Sequence, residues 1–277
     1  MKSFKGYVLP GPEVPGLPEA EHPADTSLDA LAGHFRIFQL KKGHRFSTDD
    51  LLVAWYGTTC APAPARVLDL GSGIGSVAMT AAWRLPGSRF VTVEAQDISL
   101  ALAKKSLAYN GLSERFDVRE GDFRDPGVLR DDEVFDLVLG SPPYFPLEDG
   151  VLGDHPQKIA CRFEVRGDIS HYAATAAKHL APGGMFACVF PVQPAHQLER
   201  VWAAASTAGL SIVRRRDVVL KEGEPPLLGL FAMVTSAHLP EAFRAQTFIE
   251  PPLVIRTASG AVSVEYSALK LSFGFPP

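Results

Sequence analysis

Two clusters of residues in this 277-residue chain have the types and spacing for chemistry. In Asp69-Leu70-Gly71-Ser72-Gly73-Ile74-Gly75 an apolar run turns into an Ala-rich helical pattern through three glycines. Glycine has no Cβ, so at such a strand-to-helix turn backbone N–H groups can close on a ligand. Dinucleotide oxidoreductases use the same geometry and a plain tight turn reads alike, so the loop alone does not choose a ligand. Glu94 ends the next apolar run in VTVEAQD. It lies about 20 residues beyond the glycines, where a carboxylate can accept hydrogen bonds from both hydroxyls of a ribose. A third run ends at Gly121-Asp122-Phe123, with a carboxylate for an amino group and an aromatic face for a purine. The three ends together outline an adenosine-shaped pocket.

The second cluster, Ser141-Pro142-Pro143-Tyr144, directly follows a fourth apolar run, FDLVLG. Two prolines fix the backbone and remove two N–H donors, which leaves nearby carbonyls as acceptors while Tyr144 presents a ring. Its position at a strand end argues against a chance turn. Metal chemistry is not expected, because the eight histidines show no HxxxH-type spacing. Cys60, Cys161 and Cys188 are odd in number and scattered, and read as reduced thiols rather than a disulfide framework or CxxC site.

The elements that must position these residues alternate between strand and helix patterns with short connections, the sign of a parallel sheet. ARVLDLG, RFVTVEA, RFDVREGD, EVFDLVLG and MFACVFP read as five strands, and VAMTAAWRL, SLALAKKSLAYNGL and ISHYAATAAKHL as helices between them. After the helix QLERVWAAASTAG, the runs LSIVRRRDVVL and LLGLFAMVTS follow each other without an intervening helix, which suggests an antiparallel hairpin at the sheet edge. An NAD-binding sheet would continue with parallel βα units. The expected fold is α/β and Rossmann-like: a mostly parallel seven-stranded sheet with an antiparallel hairpin at one edge.

Outside this core, residues 1–30 carry Pro10, Pro12, Pro15, Pro18 and Pro23 and read as an extended arm. HFRIFQLKKGHRFS alternates like a hairpin, and STDDLLVAWYG starts a helix after Ser47 or Thr48 with Asp49 and Asp50 in its first turn. The catalytic domain is expected over 31–248. Residues 249–277, PPLVIRTASG and AVSVEYSALK, read as a further hairpin packed on it.

Hydrophobic residues make up 46% and charged residues 21%, the balance of a soluble globular protein. No apolar run is long enough to span a membrane and the N-terminus lacks a secretory h-region, so a cytoplasmic location is expected. The formal charge of −4 argues against coating duplex DNA through a global positive field. Two local basic patches exist, Lys41-Lys42-Gly43-His44-Arg45 and Arg214-Arg215-Arg216, each either a solvated face or a contact to a nucleic-acid backbone.

DLGSGIG, VEAQD, EGDF and APGG, in this order over residues 66–236, resemble the motifs of class I S-adenosylmethionine methyltransferases. The resemblance implies that Asp69, Gly71, Ser72 and Gly73 lie along the methionine end of the cofactor. It implies that Glu94, followed by Ala95 and Gln96, holds the ribose, that Asp122 meets the adenine amino group, and that Ile98 and Phe123 cover the ring. The tetrad resembles the [N/D/S]PP[Y/F] motif of methyltransferases that modify exocyclic or amide nitrogens. Such a nitrogen is a poor nucleophile because its lone pair is delocalised. Two acceptors gripping the NH₂ hydrogens would localise that pair and aim it at the sulfonium methyl. By that resemblance Ser141, beside the cofactor, and the Pro142 carbonyl hold the amine, Pro143 stiffens the turn, and Tyr144 stacks on a base.

FQLKKGHRFSTDDLLVAW before the core, with CRFEVRGDISHYAATAAKHLAPGG and RRRDVVL after the tetrad, is similar to the bacterial family that methylates adenine N6 in the anticodon loop of a valine tRNA. Arg45, Phe46 and Thr48 would then close over the entrance. That family carries Asn first in the tetrad, whereas Ser141 offers a smaller hydroxyl that can also donate. Serine there resembles cytosine-N4 methyltransferases of DNA. Adenine N6 in tRNA is the favoured acceptor; a small-molecule or peptide nitrogen is the alternative, with a non-catalytic or NAD-binding domain last.

Overall fold

The computed structural model describes residues 24–147 and 155–275, and the backbone of residues 3–4 and 7–8. Most of the proline-rich arm lies outside the described residues. Within it, β1 (Ser3–Phe4) pairs antiparallel with β2 (Tyr7–Val8).

An antiparallel hairpin of β3 (Thr26–Ala30) and β4 (Arg36–Leu40) leads into α1 (Thr48–Cys60). The core then follows as β5 (Arg66–Leu70), α2 (Ser76–Arg84), β6 (Arg89–Glu94), α3 (Asp97–Tyr109), β7 (Phe116–Glu120) and β8 (Phe135–Gly140). It continues with α4 (Pro156–Arg162), α5 (Ile169–His179), β9 (Leu180–Pro191), α6 (Ala195–Thr207), β10 (Leu210–Lys221) and β11 (Leu228–Thr235). The chain closes with β12 (Phe248–Arg256) and α7 (Val264–Ser272).

Eight strands form the main sheet in the order β12-β10-β11-β9-β8-β5-β6-β7. The β9-β8-β5-β6-β7 pairs are parallel, and β11 runs antiparallel to both β9 and β10. Alternate residues along each strand divide between two cores. Leu137, Leu139, Ala187 and Val189 face one side with α1, α2 and α3, while Val138, Phe186, Cys188 and Phe190 face the other with α5 and α6. A strand buried on both faces reads as a continuous apolar run, which is why the central strands were legible. The order reverses between β5 and β8, so a crevice opens at their C-terminal ends.

The fold class is as expected, with three differences. The sheet has eight strands instead of seven, because β12 pairs in parallel with β10 and covers the hairpin that was expected to form the edge. The last segment is a helix and not the second strand of a hairpin: the Ser263 hydroxyl caps α7 by accepting the Tyr266 N–H at 3.0 Å. Tyr266, Leu269 and Phe273 recur at helical spacing and are buried, which overrides the apparent alternation of AVSVEY. The N-terminal hairpin begins at Thr26, inside the range assigned to the arm, because the polar strand TSLDA takes its register from β4 rather than from an apolar pattern of its own.

Candidate active site

The chain leaves β5 through Gly71, Gly73 and Gly75, with φ of 61°, 56° and 83°. These left-handed conformations strain any residue with a Cβ. At Gly71 a side chain would also collide with the Tyr172 hydroxyl of α5, whereas at Gly73 nothing lies within 4 Å of where a Cβ would sit. The loop is thus propped on one side and open on the other. Ser72 donates its N–H to the Val93 carbonyl at 2.9 Å, while its buried hydroxyl has no hydrogen-bond partner among the described residues. The loop is tied to the next strand end by Glu94, whose carboxylate accepts the Gly73 N–H at 2.7 Å and the Gln96 N–H at 2.6 Å. Burial raises the Glu94 pKa against those bonds. A carboxylate can accept about four bonds, so Glu94 retains acceptor capacity.

A cavity of about 560 Å³ opens at the C-terminal ends of β5, β6, β7 and β8. Of the residues expected at the cofactor, Asp69, Gly71, Ser72, Gly73, Glu94, Ala95, Gln96, Asp122, Phe123 and Ser141 line it. Arg45 also reaches its wall, but the guanidinium is committed to Asp29 at 3.0 Å and to the Ser27 hydroxyl. Asp122 accepts three hydrogen bonds from Arg124, which hold its carboxyl below the usual carboxylate range. Three of the expected residues lie outside the lining. Thr48, the first residue of α1, is exposed and its hydroxyl bonds Tyr266 of α7. Ile98 is 45% exposed and lies outside the cavity lining. Both lie in the first turn of a helix that begins beside the crevice, and sequence spacing does not reveal which side such a residue faces. Phe46 likewise stacks on Phe275 at 6.2 Å and is absent from the lining.

All four tetrad residues, Ser141 to Tyr144, line the same cavity. The Tyr144 hydroxyl donates to Asp49 Oδ2 at 2.8 Å, and the Ser141 hydroxyl lies beside it. Its ring meets Phe190 edge-on at 5.6 Å and stays partly exposed. Both the Tyr144 and Phe145 N–H groups donate to the Arg162 carbonyl, so α4 braces the turn from outside.

Two neighbouring acids were read only as first-turn charges, yet they belong to the cavity. Asp50 is 6% exposed; it accepts the Ser47 N–H and the Ser76 hydroxyl, each at 3.0 Å. Burial pushes Asp50 up to about 7 and raises Asp49 and Asp69 as well. With Glu94 and Asp122, five carboxylates therefore line the cavity, and burial raises the pKa of all but Asp122. Helix capping already explained an acid pair after Ser47, so nothing in the sequence pointed further. Tyr172 was missed too, since a tyrosine in the Ala-rich ISHYAATAAKH pattern shows its environment only when α5 is docked.

This architecture, a glycine loop at β5 and a proline tetrad at β8 facing one crevice, can be compared with known proteins. The family described as methyltransferase small domain matches residues 49–201, more than half of the chain. The chain belongs to that family. It is an enzyme that transfers methyl groups. Among its relatives is the tRNA1(Val) (adenine(37)-N6)-methyltransferase of Citrobacter koseri, 30% identical over 235 residues, with 83% of this chain and 87% of the relative covered. The protein of the same name from Porphyromonas gingivalis is 28% identical over 249 residues, covering 86% and 92%. Among solved structures, a predicted O-methyltransferase from Agrobacterium tumefaciens shares the fold, with a TM-score of 0.61 at 19% identity over 83% of this chain and 98% of that one. No helix among the described residues of this methyltransferase is long and apolar enough to cross a membrane, and they hold no cluster of His, Cys, Asp and Glu able to bind a metal ion.

Proposed function

We propose that this methyltransferase uses S-adenosylmethionine to methylate the exocyclic amino group of a nucleobase, namely N6 of adenine in tRNA. The observation that carries the proposal is the tetrad Ser141-Pro142-Pro143-Tyr144 lining the same cavity as the glycine loop. The names of the relatives that match most of the chain support the nucleobase and the RNA.

The residues present fit the donor. S-adenosylmethionine supplies an electrophilic methyl group on a sulfonium. The cavity's five carboxylates favour a cationic ligand over a neutral one. The unpartnered Ser72 hydroxyl and the open side of Gly73 offer a hydrogen bond and room for its methionine part. Glu94 retains acceptor capacity for the ribose hydroxyls. Phe123 is the apolar cover available to the adenine, and Asp122 its nearby carboxylate.

Toward the acceptor, a hydroxyl chain from Ser141 through Tyr144 to Asp49 would account for serine at the first tetrad position. With its proton directed to Tyr144, the Ser141 oxygen would turn lone pairs toward an amine and serve as the acceptor an asparagine would supply. Together with the Pro142 carbonyl it would grip both NH₂ hydrogens, and that grip strengthens as the nitrogen becomes cationic. The partly exposed Tyr144 ring is the surface on which the base would rest.

Single-turnover methyl transfer to unmodified tRNA, a single-stranded DNA oligonucleotide and a glutamine peptide, followed by product analysis, tests the reading. N6-methyladenine in tRNA is the expected product, with Ser141→Ala slowing transfer roughly 10- to 100-fold, about 1.4–2.7 kcal/mol of barrier. N4-methylcytosine, a methylated peptide amide alone, or oxygen or carbon methylation would overturn it.

A further inference from the structure

Two segments more than a hundred residues apart form one basic rim on the cavity. From the loop after β4, His44 lines it; from α4, so do Lys158 and Arg162. Lys158 and Arg162 stand four residues apart, one helical turn, and so share a face of α4. A buried side chain locks the two segments together. Gln157 accepts the His44 N–H at 3.0 Å and donates to the Ser99 hydroxyl of α3 at 2.9 Å, and its Oε1 occupies the space a side chain at position 43 would need. The rim is therefore built, not a chance meeting of surface chains.

Its electrostatics differ from the rest of the molecule. Elsewhere most arginines are spent on carboxylates, as in Arg119–Glu133, Arg200–Glu164, Arg214–Glu250 and Arg216–Glu265. Neither Lys158 nor Arg162 forms an ion pair among the described residues, and both are exposed. His44 is held below its ordinary pKa by burial and then by the charges of Arg162 and Lys158, so it adds a neutral hydrogen-bonding group and not a third charge. The Arg162 guanidinium lies 5.9 Å over the ring of Phe145, which follows the tetrad directly and is 37% exposed. A guanidinium resting on an aromatic face keeps its edge N–H groups free to fork onto a phosphate.

We infer that Lys158 and Arg162 form a phosphate clamp that holds the RNA backbone flanking the target nucleotide while its base enters beside Tyr144. The inference rests on the nucleobase reading above and adds where the polyanion is held. In a chain of net charge −4, backbone attraction must come from a local patch. This one lies at the acceptor end of the cavity, where an extruded nucleotide would bring its two phosphates. A phosphate contact carries no sequence information, so the clamp contributes affinity and register and leaves base choice to the tetrad.

The test measures the affinity of an anticodon stem-loop RNA across salt concentrations for the wild type and for Lys158→Ala, Arg162→Ala, the double variant and Arg162→Lys. Binding of S-adenosylhomocysteine to each serves as the check on folding. Each alanine should lower the slope of log affinity against log salt by on the order of 0.7–0.9, and weaken unrelated RNA sequences equally. Arg162→Lys should keep the slope and lose part of the affinity. If wild type methylates the stem-loop while the alanine variants keep its affinity and slope, the clamp is wrong and the nucleobase reading stands. If wild type neither binds nor methylates RNA, the nucleobase reading falls and takes the clamp with it.

Discussion

Asp50 shows how one buried carboxyl can tie ligand charge to pH. Its pKa in the folded protein is raised to about 7 by burial, above the 3.8 of an ordinary aspartate. Folding favours the protonated form, so the stability it carries is complete below pH 3.8 and is lost as pH rises through about 7. A cation in the cavity reverses that preference. The affinity of the sulfonium S-adenosylmethionine relative to neutral S-adenosylhomocysteine should therefore increase from roughly pH 6 to 8, and Asp50→Asn should flatten the trend. Calorimetry with both ligands across that range reads the ratio; a ratio indifferent to pH in the wild type removes Asp50 from donor selection. The acid pair was visible in the sequence, but a first-turn charge and a buried site acid look identical until α1 packs against α2.

At the scale of elements, the glycine loop divides into residues that serve the fold and residues that serve the ligand. Gly71 backs onto Tyr172 and Gly73 faces open space, although both have positive φ. Gly71→Ala should cost the left-handed strain of about 1–2 kcal/mol plus a steric clash, and lower the melting temperature markedly. Gly73→Ala should cost only the backbone strain yet abolish S-adenosylhomocysteine binding, because its methyl group enters the cavity. Thermal melts paired with calorimetry separate the two, and equal effects of both substitutions would refute the division. The GxGxG spacing was legible because strand, turn and helix follow one another locally. Which glycine faces which way depended on α5, about a hundred residues later in the chain.

For the whole molecule, the two ends of the described chain close on each other. The Gly33 N–H donates to the Phe273 carbonyl at 2.7 Å, and the Phe273 side chain is fully buried. Glu250 on β12 accepts from the Tyr56 hydroxyl at 2.8 Å and from Arg214, so the last strand also pins α1 to β10. The C-terminal segment is thus part of the core and not an appendage. Phe273→Ala should destabilise the protein by about 3–5 kcal/mol, whereas Phe248→Ala, at a position 63% exposed, should stay within about 0.5 kcal/mol. Denaturant unfolding measures both; a Phe273→Ala protein as stable as the wild type would show that the C-terminal helix closes nothing.

What the sequence alone determined is what depends on neighbours along the chain. The apolar runs of β5, β6, β8 and β9, the glycine turn after Leu70, the acid at the end of β6 and the prolines after Gly140 are local patterns, and each was readable in place. The tertiary structure alone decided what depends on distant partners: β12 completing the sheet beside β10, AVSVEYSALK becoming a helix against the core, and Asp49 reaching Tyr144. It also decided that His44 and α4 meet across Gln157. Period and propensity act over a few residues, while register, burial and the direction of a side chain are set by surfaces that come together only when the chain folds.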